Sequence, residues 1–131
     1  MVIADTGIWI NYLRHRQSPE GDEVARLIDE GAVALAGVVF AELLRGARTP
    51  ERQHRLEREL SGASFLDMSK AAWRRAGLLS SDLEARGQAI PMTDVFIAAL
   101  ALEGGHDVYT QDKHFERIPG LRLHKPRADG P

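Results

Sequence analysis

Four acidic side chains, Asp5, Glu42, Asp94 and Asp112, have the types and positions needed for metal-dependent chemistry. Asp5 directly follows a short apolar run, and Asp112 follows another by two residues. In open α/β sheets, ligands bind beyond the carboxyl ends of the strands, which places these two at one edge and the other two near it. Four carboxylates gathered there repel one another, whereas a hard cation such as Mg²⁺ takes oxygen ligands. This arrangement predicts phosphoryl transfer by metal-activated water.

Each of these acids also has an ordinary structural explanation. Asp5 and Asp94 could each cap the helix that follows. Glu42 could form an ion pair with Arg45 one turn later, and Asp112 could be a turn residue. The metal hypothesis therefore depends on all four acids meeting in space.

The acids are positioned by a chain in which short apolar strands alternate with helices. The predicted strands cover residues 2–4, 32–36, 64–66, 108–110 and, at an edge, 121–123. The predicted helices cover residues 8–14, 38–47, 49–60, 69–86 and 94–103. A further predicted helix contains Val24, Leu27 and Ile28 and ends at Gly31. This alternation is typical of an α/β domain with a mostly parallel sheet. Asp107 precedes the strand that Asp112 follows, so we expect it about 16 Å away, at the wrong end for the same site.

The composition limits the class of protein. The 131 residues suit one compact domain, and the 44% hydrophobic share argues against global disorder. The absence of cysteine excludes disulfide scaffolds and cysteine-based sites and agrees with a reducing cytosol. A net charge of −2 gives no general attraction to nucleic acid, so RNA binding needs a local basic patch. With no basic leader and no apolar run of ~18 residues, we expect a cytoplasmic protein without contact to membranes.

Four segments together resemble PIN-domain ribonucleases, and their order and spacing are most similar to the VapC toxins of bacterial toxin–antitoxin pairs. The segments are ADTGIWI (residues 4–10), VVFAELLRGA (38–47), TDVFIAALA (93–101) and VYTQDKHF (108–115). The resemblance extends from Val2 to about Lys125. Each segment alone is weak evidence, whereas four in this order are specific.

The resemblance implies a fold, an activity and partners. The fold is an α/β/α three-layer sandwich with a central, mostly parallel sheet of four to five strands, in a single PIN domain over residues 1–131 with a loose tail at 126–131. The activity is endonucleolytic cleavage of RNA by a toxin, with one or two Mg²⁺ or Mn²⁺ ions. The partners are an RNA substrate and a cognate VapB-like antitoxin. A homodimer is expected, with a heterotetramer or larger assembly with antitoxin as an alternative. The catalytic, metal-binding residues implied are Asp5, Glu42, Asp94 and Asp112.

The resemblance also indicates supporting residues. Thr6 and Thr110 match hydroxyl positions that orient an acid or a water. Many relatives carry Ser where this chain has Gly7, so a hydroxyl is absent there, although Thr6 remains.

Several basic residues lie close in sequence to the proposed site and could hold RNA phosphates. Solvated faces and ion pairs explain them equally well. These residues are Arg14, Arg45, Arg48 and Lys113.

Two further groups of residues have open interpretations. The five histidines do not have zinc-ligand spacing, so we interpret them as solvated or structural, with His106 and His114 facing opposite ends of the fourth strand. Residues 8–13 are apolar around more than one side of a helix. Core packing or cover by a dimer mate or antitoxin could explain Trp9 and its neighbours.

Two functions other than a ribonuclease are compatible with parts of this sequence. A catalytically silent module on the same scaffold would bind RNA or a protein without cutting, and the intact set of acids argues against it. A phospho-acceptor signalling domain also gathers acids with Thr and Lys at strand ends. Its acceptor should directly follow a middle strand, and Asp67, after the weak third strand, is the candidate.

Overall fold

A parallel sheet forms the centre of the molecule, as predicted. The computed structural model describes residues 1–126, so residues 127–131 of the predicted tail lie outside the described range. The strands are β1 (Val2–Ala4), β2 (Val33–Ala36), β3 (Ser64–Leu66) and β4 (Asp107–Tyr109). Their spatial order is β3-β2-β1-β4, and every pairing is parallel. Ile3 of β1 pairs with Ala34 on one side and with Val108 on the other, which fixes the register at the centre.

Within residues 1–126, six α-helices flank the sheet in a three-layer α/β/α sandwich. They are α1 (Thr6–Arg14), α2 (Pro19–Asp29), α3 (Gly37–Gly46), α4 (Pro50–Leu60), α5 (Lys70–Ala85) and α6 (Met92–Gly104). A 3₁₀ helix at Lys113–Arg117 follows β4. In the part of the chain that is described, no helix combines the length and the apolar character that crossing a membrane requires.

The predicted fifth strand is reduced to a single contact. Leu123 forms one isolated parallel bridge with Val108, outside the four-stranded sheet. The boundary of β4 also differs by one residue from the prediction, since Asp107 begins the strand. Its pairing with Val2, the first residue of β1, places Asp107 at the amino end of the sheet, as expected.

Local sequence signals explain where the helices begin. Ser18, Thr49 and Ser69 each accept a hydrogen bond from a backbone N–H in the first turn of α2, α4 and α5. Proline occupies the start of α2 and α4, where its missing N–H costs little. Helix α6 ends at Gly105, whose φ of 69° is left-handed.

The core explains why the strands and α6 are so apolar. All residues of β1 and β2 are buried, and α6 buries Val95 together with residues 97–101. A helix that is apolar on most sides belongs inside a protein. Trp9 is fully buried and packs edge-on against Tyr12, so core packing is its role in this chain. Trp9 thereby anchors α1 in the core, directly after Asp5 at the end of β1.

Candidate active site

The four acids predicted from the sequence line one cleft beyond the carboxyl ends of β1 and β4. Asp5 directly follows β1, and Asp112 lies three residues after β4. Glu42 comes from the second turn of α3, and Asp94 comes from the first turn of α6. Asp107 and Asp67 are not among the lining residues of this cleft. The fold therefore brings together side chains that are separated by more than a hundred positions in sequence.

Asp5 is the most deeply placed of these acids, with 9% of its surface exposed. Its Oδ1 accepts a hydrogen bond of 2.9 Å from the backbone N–H of Ile8 and so caps α1. Its Oδ2 accepts a hydrogen bond from the Thr110 hydroxyl. Burial raises the pKa of Asp5, and the charges of Asp112 and Glu42 raise it further, against the lowering effect of these two hydrogen bonds. Asp5 therefore caps α1, and the same carboxylate lies at the edge of the cleft.

Two threonine hydroxyls hold the acids in place. Thr6 Oγ1 donates a 2.9 Å hydrogen bond to Glu42 Oε1. Thr110 Oγ1 donates to Asp5 and accepts a 2.9 Å bond from the backbone N–H of Asp112, so one hydroxyl connects β1 to the loop after β4. The alternative pairing of Glu42 with Arg45 does not occur in the structure, and Arg45 is exposed.

Asp94 and Asp112, the other two Asp residues that line the cleft, both contact the imidazole of His114. His114 Nδ1 lies 3.3 Å from Asp94 Oδ2 and 3.1 Å from Asp112 Oδ1. Asp94 occupies the third position of α6 rather than the cap, which is Pro91, so the helix N-terminus stabilises its charge from inside the first turn. Burial raises the pKa of Asp94, and Asp112 and Asp5 add to this effect while His114 opposes it.

No Arg or Lys neutralises the carboxylates of the cleft in the described part of the chain. Over residues 1–126, no Lys or Arg forms an ion pair with any of the four acids. Arginines elsewhere do pair with carboxylates, for example Arg75 with Glu103 at 2.7 Å and Arg122 with Asp107 at 2.8 Å. A set of carboxylate oxygens left without cations suits a hard divalent metal ion.

Comparison with known families agrees with this architecture. The family described as "PIN domain" matches residues 2–121 of the chain. The chain belongs to the PIN-domain family.

Several VapC proteins resemble this PIN domain over nearly its whole length. It is 31% identical over 122 residues to "VapC ribonuclease Mb1587" of Mycobacterium bovis, covering 90% of this chain and 91% of the relative. It is 27% identical over 124 residues to "Ribonuclease VapC2" of Rickettsia felis, covering 91% and 92%. The crystal structure of VapBC2 from Rickettsia felis, bound to a DNA fragment from its promoter, superposes with a TM-score of 0.83 at 25% identity, covering 95% and 98%. The predicted VapC resemblance is confirmed.

His114 contacts two acids of the cleft, and the sequence interpretation overlooked this role. Asp112 accepts a 2.9 Å hydrogen bond from the backbone N–H of His114 and so caps the 3₁₀ helix. This tight turn brings the imidazole back towards the acids. The available signal was the spacing of two residues from Asp112 in a turn-forming segment. His106, by contrast, lies near the amino group of Met1 at the other end of β4, as expected.

The predicted phosphate-binding residues are all exposed, and one lies beside the cleft. Arg14 lines an apolar groove between α1, α3 and α4 that includes Glu42, so the groove and the cleft share a wall. Arg52 and Arg55 of α4 line the same groove and were not predicted. Two arginines of the groove therefore come from α4, outside the four segments, and Arg55 is paired with Glu59 at 3.1 Å. The remaining predicted residues, Arg45, Arg48 and Lys113, are exposed.

Proposed function

We propose that this PIN domain is a metal-dependent endoribonuclease and acts as the toxin of a toxin–antitoxin pair. The observation that carries the proposal is the cleft in which four carboxylates meet without an Arg or Lys partner from residues 1–126. Such a cluster is costly unless a cation enters it. The naming of the relatives as VapC ribonucleases supports RNA as the substrate.

The donor set fits Mg²⁺ or Mn²⁺. Asp5, Asp94 and Asp112 would hold the ion, with Glu42 close enough to raise the pKa of Asp5. A divalent cation bound there supplies Lewis-acid stabilisation of the phosphodiester and makes a coordinated water more acidic.

The protein groups supply orientation. Thr110 and the Ile8 N–H fix both oxygens of Asp5, so this carboxylate needs little reorganisation when the site fills. Thr6 holds Glu42 through Oε1, which leaves Oε2 to accept a hydrogen bond from a water on the substrate side. Arg14 is the first candidate to bind the RNA backbone, because it lines the groove that shares Glu42 with the cleft.

The relatives support a protein partner for this chain. Structures similar to it include VapBC complexes, such as VapBC2 of Rickettsia felis. We propose that a VapB-like antitoxin binds this chain and that the chain forms homodimers. Gel filtration with light scattering, with and without the co-expressed product of the adjacent reading frame, measures both.

RNA cleavage by the purified protein tests the nuclease proposal. Cleavage is expected with Mg²⁺ or Mn²⁺ and is expected to stop with EDTA. Asp5→Asn and Asp94→Asn should each abolish it. Asp107→Asn is the matched control, because Asp107 is the same residue type at the opposite end of the sheet, paired with Arg122 at 2.8 Å. Full activity in both cleft variants would defeat the proposal, and RNA binding without cleavage in the wild type would favour the silent module.

A further inference from the structure

His114 places a nitrogen donor beside two of the proposed metal ligands. Its Nδ1 lies 3.1 Å from Asp112 Oδ1 and 3.3 Å from Asp94 Oδ2. One ligand atom from each of these three residues lies within 4.8 Å of the other two. These residues therefore present two carboxylate oxygens and one imidazole nitrogen to a single point in space.

The spacing is that of neighbouring ligands around one octahedral ion. Donor atoms about 2.1 Å from such an ion lie about 3.0 Å from their nearest neighbours in the coordination sphere. Both distances from His114 are close to this value, and the ligand oxygens of Asp94 and Asp112 lie within 4.8 Å of each other. The ring is anchored for such a role, because Asp112 holds the backbone N–H of His114 and the next residue, Phe115, is buried in the core.

We propose that His114 Nδ1 is a ligand of the same divalent ion as Asp94 and Asp112. Its imidazole nitrogen would join two carboxylate oxygens, which suit both Mg²⁺ and Mn²⁺. The inference rests on the proposed function, because it concerns the same site. It departs from a site made only of carboxylates, and the departure is caused by the 3₁₀ turn that follows Asp112.

Pulsed EPR of Mn²⁺ bound to the full chain tests this inference. The wild type should show modulation from one ¹⁴N nucleus of a directly bound imidazole. His114→Gln and His114→Ala should both lose this modulation, and the Mn²⁺ affinity of His114→Ala should fall by about tenfold or more. His106→Gln is the matched control, since His106 lies at the other end of β4 and should leave the nitrogen signal intact.

The glutamine variant separates a ligand from a residue that only positions the acids. Its side-chain N–H can still donate a hydrogen bond to Asp94 or Asp112, but it offers no nitrogen lone pair to a metal. Nitrogen modulation that persists in His114→Gln, or Mn²⁺ bound by the wild type without nitrogen modulation, would overturn the inference and leave the nuclease proposal standing. Failure of the wild type to bind Mn²⁺ at all would overturn both.

Discussion

Two carboxylates of this PIN domain are buried to the same degree and have opposite electrostatic surroundings. Glu23 of α2 is 6% exposed, and Asp5 at the end of β1 is 9% exposed. Arg26 contacts both oxygens of Glu23 at 2.8 Å, and His124 Nε2 lies 2.6 Å from Glu23 Oε2. The Arg26 hydrogen bond is the main reason that the pKa of Glu23 falls to about 2. Asp5 has no such cation, and its pKa is raised.

The difference separates a buried acid that is neutralised within the fold from a buried acid that has no counter-charge. Glu23 is neutralised by side chains of its own chain, so the cluster is complete when the protein folds. Asp5 receives hydrogen bonds that orient it but no positive charge that neutralises it. We infer that the counter-charge of the cleft comes from outside the protein.

The largest effect should be on catalysis. Asp5→Asn is expected to reduce RNA cleavage by at least about a hundredfold, because it removes a charged ligand. Glu23→Gln should leave cleavage per folded molecule close to the wild-type rate, since Glu23 does not line the cleft. Initial rates on one RNA, normalised to the folded fraction, provide the comparison. Equal losses in both variants would remove the distinction between the two acids.

Divalent ions should stabilise the wild type. At a Mg²⁺ or Mn²⁺ concentration about 100 times the dissociation constant, the free energy of unfolding should rise by about 2.7 kcal/mol. Asp5→Asn should show a much smaller rise at the same concentration. Urea denaturation followed by circular dichroism, with EDTA as the reference, measures this change. A metal-induced rise of equal size in the variant would place the ion elsewhere.

Loss of the internal ion pair should destabilise the fold. Glu23→Gln is expected to lower the free energy of unfolding by about 2 kcal/mol, since it weakens hydrogen bonds between charged groups in a buried position. Glu30→Gln is the control, because Glu30 pairs with the same Arg26 at 2.8 Å but is 47% exposed. It should cost less than about 0.5 kcal/mol. Similar losses in the two variants would argue against a special role for the buried pair.

The cleft acids and Glu23 should make the stability of the fold depend on pH in opposite directions. Folding raises the pKa values of Asp5 and Asp94, so the metal-free fold binds their protons more tightly than the unfolded chain does. Their contribution to stability is full below the unfolded value of 3.8 and is lost as pH rises through the raised pKa values. Folding lowers the pKa of Glu23, so its contribution is present above 4.5 and is lost as pH falls towards about 2.

Urea denaturation in EDTA at a series of pH values separates these contributions. Asp5→Asn should flatten the decline in stability that the cleft acids cause as pH rises above 3.8, and Glu23→Gln should flatten the decline in stability as pH falls from 4.5 towards about 2. Curves in Asp5→Asn that match the wild type throughout would show that Asp5 is not an uncompensated acid.

The smallest effect concerns the missing hydroxyl of α1. A Cβ atom at Gly7 would lie 3.6 Å from Asp5 Oδ1, which is an ordinary contact. Gly7→Ser should therefore fold, gain about 0.5 kcal/mol of stability from helix propensity and retain RNA cleavage. Gly46→Ser, at the end of α3 and with no neighbour within 4 Å of an added Cβ, is the control. A strong loss of cleavage in Gly7→Ser alone would show that the cleft cannot accept the side chain.

The positions of the four acids could be predicted because they depend on topology. Parallel strands place their carboxyl ends at one edge, so Asp5 and Asp112 had to lie near each other once the strands were recognised. The apolar α6 likewise had to be buried, which brought Asp94 to the sheet. These conclusions hold even though the boundary of β4 was one residue away from the prediction.

The contacts inside the cleft could not be predicted, because they depend on turn geometry and side-chain direction. The 3₁₀ helix after Asp112 directs His114 towards the acids, and the spacing of two residues from Asp112 does not by itself give this direction. The Thr110 hydroxyl joins Asp5 to the backbone of Asp112 across two separate strands. Arg52 joins the groove beside Glu42 because α4 packs there, which is a tertiary effect.

Anomalous diffraction from crystals soaked in Mn²⁺ tests directly whether the four acids bind a divalent ion. An anomalous peak is expected in the cleft, within bonding distance of Asp5, Asp94 and Asp112. The same soak with Asp94→Asn should weaken or abolish the peak. Fully occupied Mn²⁺ at other positions, with no peak among these carboxylates in the wild type, would show that the cleft is not the metal site.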